Sequence, residues 1–158
     1  MKTILICDMA VLGFISIAQE AKPKTEKPKP TQEELEARFK TALTKATFNG
    51  RWCAIEEGRL GQEKKDRYVI NGVTKIGTDL WIINARIQYG GKDIVAPIPV
   101  QVKWAGDTAV IILDKVPVPD GGSSYSARVL IHENTYAGTW SADDHGGLIS
   151  GVITNAKE

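Results

Sequence analysis

The sequence predicts an all-β fold: an eight-stranded antiparallel up-and-down barrel preceded by one amphipathic helix, with a two-sheet β-sandwich as the alternative. Three observations lead there. From Phe48 onward the apolar residues recur with a period of two rather than 3.6. Breaks in that pattern divide the region into runs 48–57, 67–75, 80–89, 92–104, 108–116, 124–132, 135–142 and 147–154, separated by connections too short for parallel crossovers. In several runs one face is apolar and the other polar, and a sheet of about eight such strands removes its exposed edges by closing on itself.

The strands follow from their alternation and their turns. In run 92–104, Ile94, Ala96, Ile98, Val100, Val102 and Trp104 share one face, whereas Asp93, Pro97, Pro99, Gln101 and Lys103 lie mainly on the other. In run 124–132, Tyr125, Ala127, Val129 and Ile131 oppose Ser126, Arg128 and His132. The connections carry Gly, Asp or Asn: Gly77-Thr78-Asp79, Gly90-Gly91, Ala105-Gly106-Asp107, Asp120-Gly121-Gly122, Glu133-Asn134 and Asp143-Asp144-His145-Gly146. Pro97 and Pro99, two apart, withhold their missing N–H groups from the same neighbouring strand, and Pro117 and Pro119 fall opposite the same end of that strand. The main irregularity of the sheet, a bulge or a gap in the wall, is therefore expected between runs 92–104 and 108–116. It is also the expected portal for any ligand, the bland alternative being protection of an edge against aggregation.

A helix is predicted ahead of the barrel, over 31–46. Thr31-Gln32-Glu33-Glu34 forms a capping box, and Leu35, Phe39, Ala42, Leu43 and Ala46 make one apolar stripe. Glu34 with Arg38 and Glu36 with Lys40 add i,i+4 pairs on the outer side. The stripe needs a cover: the domain that follows, or a protein partner meeting Leu35, Phe39 and Leu43.

Residues 19–30 alternate Lys and Pro with no large apolar side chain, as expected of an extended, solvated tether; a basic surface-binding arm is the sharper reading. Ahead of it, Lys2, the mostly apolar stretch from Thr3 to Ala18 and the ending Ser16-Ile17-Ala18 predict a signal peptide over 1–18. Asp8 leaves too short an apolar run for a spanning helix of about 20 residues, and no Cys follows Ala18 to carry a lipid. An uncleaved anchor is the rival reading. With cleavage the protein is exported to the periplasm or beyond, is not an integral membrane protein, and loses Cys7. Cys53 then stands alone, a small packed hydrophobe, less often an intermolecular bridge, and rarely a nucleophile.

Composition narrows the function. In 158 residues, 20 Lys and Arg face 19 Asp and Glu, a net charge of +1 that recruits neither nucleic acid nor an anionic membrane. Two cysteines exclude a disulfide-stapled miniprotein and a four-thiolate zinc site.

Phe48-Asn49-Gly50-Arg51-Trp52, opening the first strand, resembles the Gly-x-Trp start of lipocalin- and avidin-like (calycin-type) barrels. Tyr136-Ala137-Gly138-Thr139-Trp140, with Gly147 and Gly151 after it, is similar to the Gly-and-Trp pattern of their later strands. The chain as a whole resembles small exported bacterial proteins. The likeness implies a barrel over 47–155 with room for a ligand inside. Where lipocalins set a basic residue of the last strand against the first-strand Trp, the final run here has no Arg or Lys.

No catalytic constellation stands out, so no enzyme activity and no cofactor are expected. Ser123, Ser124, Ser126, Ser141 and Ser150 lack a nucleophile context, Glu56-Glu57 lies at a strand end, and Gly58-Arg59-Leu60-Gly61 has the wrong spacing for a phosphate loop. His132 and His145 are separated by a strand spanning about 30 Å, so they sit at opposite ends of the sheet and share no metal. Asp143-Asp144-His145 could draw a cation, but reads more plainly as a polar turn. The candidate ligand-binding residues are Trp52, Trp81, Trp104, Tyr125 and Trp140, drawn from the eight Trp and Tyr of the sheet, all of which could equally fill and seal the barrel. Arg51, Arg86 and Arg128 would orient a polar group if they pointed inward, although alternation turns Arg86 and Arg128 outward. The expected function is a non-catalytic exported protein holding a small, largely apolar ligand. An interaction module with a filled barrel is the alternative, and a barrel enzyme the third reading.

Overall fold

The apolar stripe of the helix is buried against the end of a closed barrel. The computed structural model describes residues 28–117 and 122–155; the expected signal peptide and most of the expected tether lie outside them. Helix α1 spans Gln32–Leu43, and its capping box forms as predicted: Glu34 N–H donates to Thr31 Oγ1 at 3.2 Å, and Thr31 N–H to Glu34 Oε2 at 2.9 Å. It ends earlier than its stripe suggested. Thr44 caps it by donating both its N–H and its hydroxyl to the Lys40 carbonyl, Lys45 turns the chain at φ 60°, and Ala46 becomes the first, inward-facing residue of a strand. Glu36 bonds to Lys75 of the barrel at 2.6 Å rather than spanning one helical turn to Lys40, tying the helix down. Among the described residues no helix is long and apolar enough to cross a membrane.

Among the described residues nine strands follow: β1 (Ala46–Glu56), β2 (Arg59–Leu60), β3 (Lys64–Lys75), β4 (Leu80–Tyr89), β5 (Lys92–Ala105), β6 (Thr108–Pro117), β7 (Ser124–His132), β8 (Thr135–Ala142) and β9 (His145–Asn155). Each of the large strands pairs antiparallel with the next, and β1 pairs with β9 from Ala46↔Asn155 to Ala54↔Gly147. That last ladder closes the circle, making the sheet an eight-stranded barrel and not a sandwich. β2 is a two-residue flap on the end of β1, in a stretch read from sequence as a connection. β3 and β9 begin earlier than expected, at Lys64 and His145, so the turn before β9 is only Asp143-Asp144, with Asp143 at φ 48°.

Alternation assigns the interior: the apolar faces read in β5 and β7 both turn inward, pairing as Ile87↔Ile94, Ala85↔Ala96, Ile83↔Ile98 and Val129↔Ile111. The tightest packing lies at the helix end, where Leu43, Val73, Trp81, Val100, Val102 and Ala109 are buried. Phe39, 4% exposed, meets the ring of Trp81 edge-on at 5.3 Å and that of Trp104 at 6.1 Å. Leu35 and Leu43 are buried beside it, so the helix stoppers this end.

The wall is open on one side. β5 pairs with β4 without interruption from Lys92 to Gln101, but its pairing with β6 stops at Gln101↔Ile112. Residues 96–100 and 113–117, which the same register would set opposite one another, are unpaired across this seam. The prolines explain it. A continuous ladder with β4 turns the nitrogens of Pro97 and Pro99 toward β6, which therefore finds no donor there. β6 leaves for β7 through a bulge between Leu113 and Val116, with Lys115 at φ 50°. Lys115 N–H donates to Ser126 Oγ, and Arg128 donates to the Leu113 carbonyl and to Asp114. Pro119 lies outside the described residues.

Candidate functional site

A cavity of about 650 Å³ occupies the barrel between the helix end and the opposite mouth. Leu43 and Phe48 form its floor, and Ile83, Ile87, Ile98, Ile111, Val129 and Ile149 are among its aliphatic walls. Ile94, Ala96 and Pro97 line it from one lip of the β5–β6 gap, and Leu113, Val116 and Pro117 from the other. Val95, on the outer surface of that lip, is 69% exposed.

The mouth is ringed by aromatic side chains. Trp52 meets Trp140 edge-on at 5.4 Å, Trp140 meets Tyr125 at 6.4 Å, and Tyr125 meets Tyr89 at 6.4 Å with their hydroxyls 3.4 Å apart. His145 stacks edge-on against Trp140 at 5.5 Å, and its Nδ1 lies 3.3 Å from the exposed Asp144 carboxylate. Lys64 sets its ammonium 5.0 Å from the centre of the Trp52 ring. A basic residue thus stands over the first-strand Trp from β3. The indole Nε1 atoms of Trp52 and Trp140 are both buried and, among the described residues, have no hydrogen-bond partner. Leaving a buried donor unpaired costs about 1–3 kcal/mol.

The structure divides the sequence-derived candidates. Trp52, Tyr125 and Trp140 converge on the mouth and line the cavity. Trp81 and Trp104 lie at the other end, because Trp81 begins β4 and Trp104 ends β5 beside the turns that the helix covers. Arg51, Arg86 and Arg128 are all on the outside, paired with Glu63, Asp93 and Asp114. His132 bonds to Thr108 at the helix end while His145 stands at the mouth, so the two are separated as the topology required. Among the described residues no group of three or more His, Cys, Asp or Glu side chains could hold a metal ion. Cys53 is buried and not disulfide-bonded.

One buried polar cluster was not anticipated. Asp66, 5% exposed, accepts from the Tyr136 hydroxyl at 3.1 Å and from the Tyr68 hydroxyl at 3.2 Å. Burial raises the Asp66 carboxyl above its ordinary value, against the opposing pull of the two donors. Burial, reinforced by the neighbouring carboxylate, also raises both tyrosines, which therefore stay protonated as donors. Gly50 and Gly151 make room for this arrangement: a Cβ on Gly50 would strike the Tyr136 hydroxyl, and one on Gly151 would come within 2.7 Å of the ring. The signal was present in the parity of Lys64, Asp66, Tyr68 and Ile70, two charged residues on an otherwise inward-facing series. Starting that strand at residue 67 hid it.

A second, more open depression of about 910 Å³ lies on the outer wall, among Asn49, Arg51, Arg67, Gln88 and Ser150. Both of its arginines are already engaged, Arg51 with Glu63 and Arg67 with Gln88. Compared with protein-family models, curated proteins and solved structures, the chain matches none. The likeness to lipocalin- and avidin-like barrels is therefore one of architecture: a closed antiparallel barrel with an internal cavity and an aromatic mouth.

Proposed function

We propose that this protein is a non-catalytic, exported binding protein that holds a small, largely apolar ligand inside its barrel. The observation that carries this reading is the aliphatic cavity of about 650 Å³, a size in the range of small-molecule sites, about 300–1,000 Å³. The interruption between β5 and β6 supports a route to it through the wall. The alternative, a filled barrel acting only through its surface, has this volume against it. A protein partner meeting Leu35, Phe39 and Leu43 would first have to lift the helix off the barrel.

The direct test is titration with the neutral fluorophore N-phenyl-1-naphthylamine. Saturable one-to-one binding, abolished by Ala127→Phe within the cavity, is expected; no saturable binding would reject the reading. Export rests on the apolar stretch ending Ser16-Ile17-Ala18. Mass spectrometry of the protein recovered from a bacterial periplasm should find Gln19 as its first residue. Recovery only from the cytoplasm with residues 1–18 intact would refute it.

A further inference from the structure

We infer that the depression on the outer wall is a second binding site, one that takes a phosphate monoester on a polyol or sugar body. It is separate from the cavity and does not depend on the reading above. An arrangement of like charges carries it. Arg51 of β1 lies directly opposite Lys65 of β3, and two residues along the same face Asn49 lies opposite Arg67. All four line the depression, and Ser150 and Gln88 extend the row from β9 and β4. Like charges directly opposed across two strands destabilise a sheet. An anion lying between them turns that cost into a gain.

Neighbouring carboxylates do not cancel the charge. Glu63 accepts from Arg51 at 2.8 Å, but both side chains are well exposed, and such a pair contributes little. Arg67 donates to the neutral amide of Gln88, at 3.3 Å. Among the described residues the Lys65 side chain has no ion-pair or hydrogen-bond partner. Asp93 is taken up by two bonds from Arg86, and Asp66 is buried with the hydroxyls of Tyr68 and Tyr136. Three cations on two adjacent strands, about 4.8 Å apart, thus face the solvent with a surplus of positive charge.

That surplus selects the head of the ligand. A phosphate monoester brings close to two negative charges and three acceptor oxygens, enough to meet the opposed pair and Arg67 together, and guanidinium forks suit it. A carboxylate brings one charge and two oxygens. The polar lining selects the body: the amides of Asn49 and Gln88 and the Ser150 hydroxyl both donate and accept, as hydroxyl groups require.

The test is calorimetric titration of the full chain at low ionic strength with glycerol phosphate, glycerate and glycerol, beside co-sedimentation with phosphatidylcholine vesicles carrying phosphatidic acid. Glycerol phosphate should bind about fivefold or more tightly than glycerate, and glycerol more weakly than either. Lys65→Gln with Arg67→Gln, shown to be folded by circular dichroism, should weaken glycerol phosphate about fivefold or more. Arg38→Gln with Lys40→Gln removes the same charge from helix α1, and should leave the affinity within about twofold. Vesicle binding without glycerol phosphate binding, lost in the first double variant alone, would keep the site and assign its phosphate to a lipid. Binding of neither probe, glycerate as tight as glycerol phosphate, or equal losses in the two double variants would overturn the inference.

Discussion

Asp66 shows how a single side chain can be both well bonded and poorly placed. Its two tyrosine donors stabilise the carboxylate, yet burial outweighs them and raises its pKa. A raised carboxyl pKa means that the folded chain keeps a proton the unfolded chain releases. The contribution to stability is therefore fully present below about pH 4, the unfolded value, and is lost as pH rises through the higher folded value. Asp66→Asn removes the titration and retains an acceptor for the tyrosines. Relative to that variant, the wild type should lose stability as pH rises above about 4 and through the raised folded value, measured by urea unfolding at each pH. Parallel pH profiles for the two proteins would show that burial does not perturb this carboxyl. The glycines beside it belong to the same account. Gly50 and Gly151 of the sequence motifs serve Tyr136, whose ring lies 4.9 Å from that of Phe48.

At the scale of elements, helix α1 behaves as a stopper whose stability comes from the barrel. Twelve residues make a marginal helix in isolation, so the capping box and the buried face together hold it. Phe39→Ala empties an aromatic site between Trp81 and Trp104, and should cost about 3–5 kcal/mol in urea unfolding. A loss below about 1 kcal/mol would mean that the helix does not seal the end. The helix and strands were legible in sequence because their patterns are local: a capping box, a stripe, alternation and glycine-rich turns. Where boundaries failed, something non-local decided. Ala46 continues the helical spacing, but the left-handed Lys45 commits it to the barrel wall. Lys64 and Asp66 look like loop residues until Tyr136 and Trp52, which are distant in sequence, give them partners. The aromatic candidates were the right residue types, yet alternation reports only inside or outside. Which end of the barrel each ring reaches depends on strand direction and register, so Trp81 and Trp104 could not be told from Trp52 and Trp140.

For the whole molecule, closure and access pull in opposite directions. A closed barrel satisfies its backbone all round, and a cavity sealed at one end by a helix needs an opening elsewhere. The proline pair in β5 reconciles the two, since Pro97 and Pro99 keep the ladder with β4 complete while denying donors to β6. The mouth, by contrast, is crowded by the contacts among Trp52, Trp140, Tyr125 and Tyr89. We therefore expect ligand to pass through the side wall. Replacing both prolines, Pro97→Thr with Pro99→Thr, restores two N–H groups facing β6. Each new bond adds about 1 kcal/mol net, so parting the seam should become about tenfold rarer or more. In stopped-flow mixing with N-phenyl-1-naphthylamine, the association and dissociation rates should fall together by that factor. The dissociation constant should change much less than the rates, because of the two replaced residues only Pro97 touches the cavity, and it does so at the lip. Rates unchanged from the wild type would mean that the probe comes and goes through the mouth, and that the proline pair serves only to blunt a strand edge.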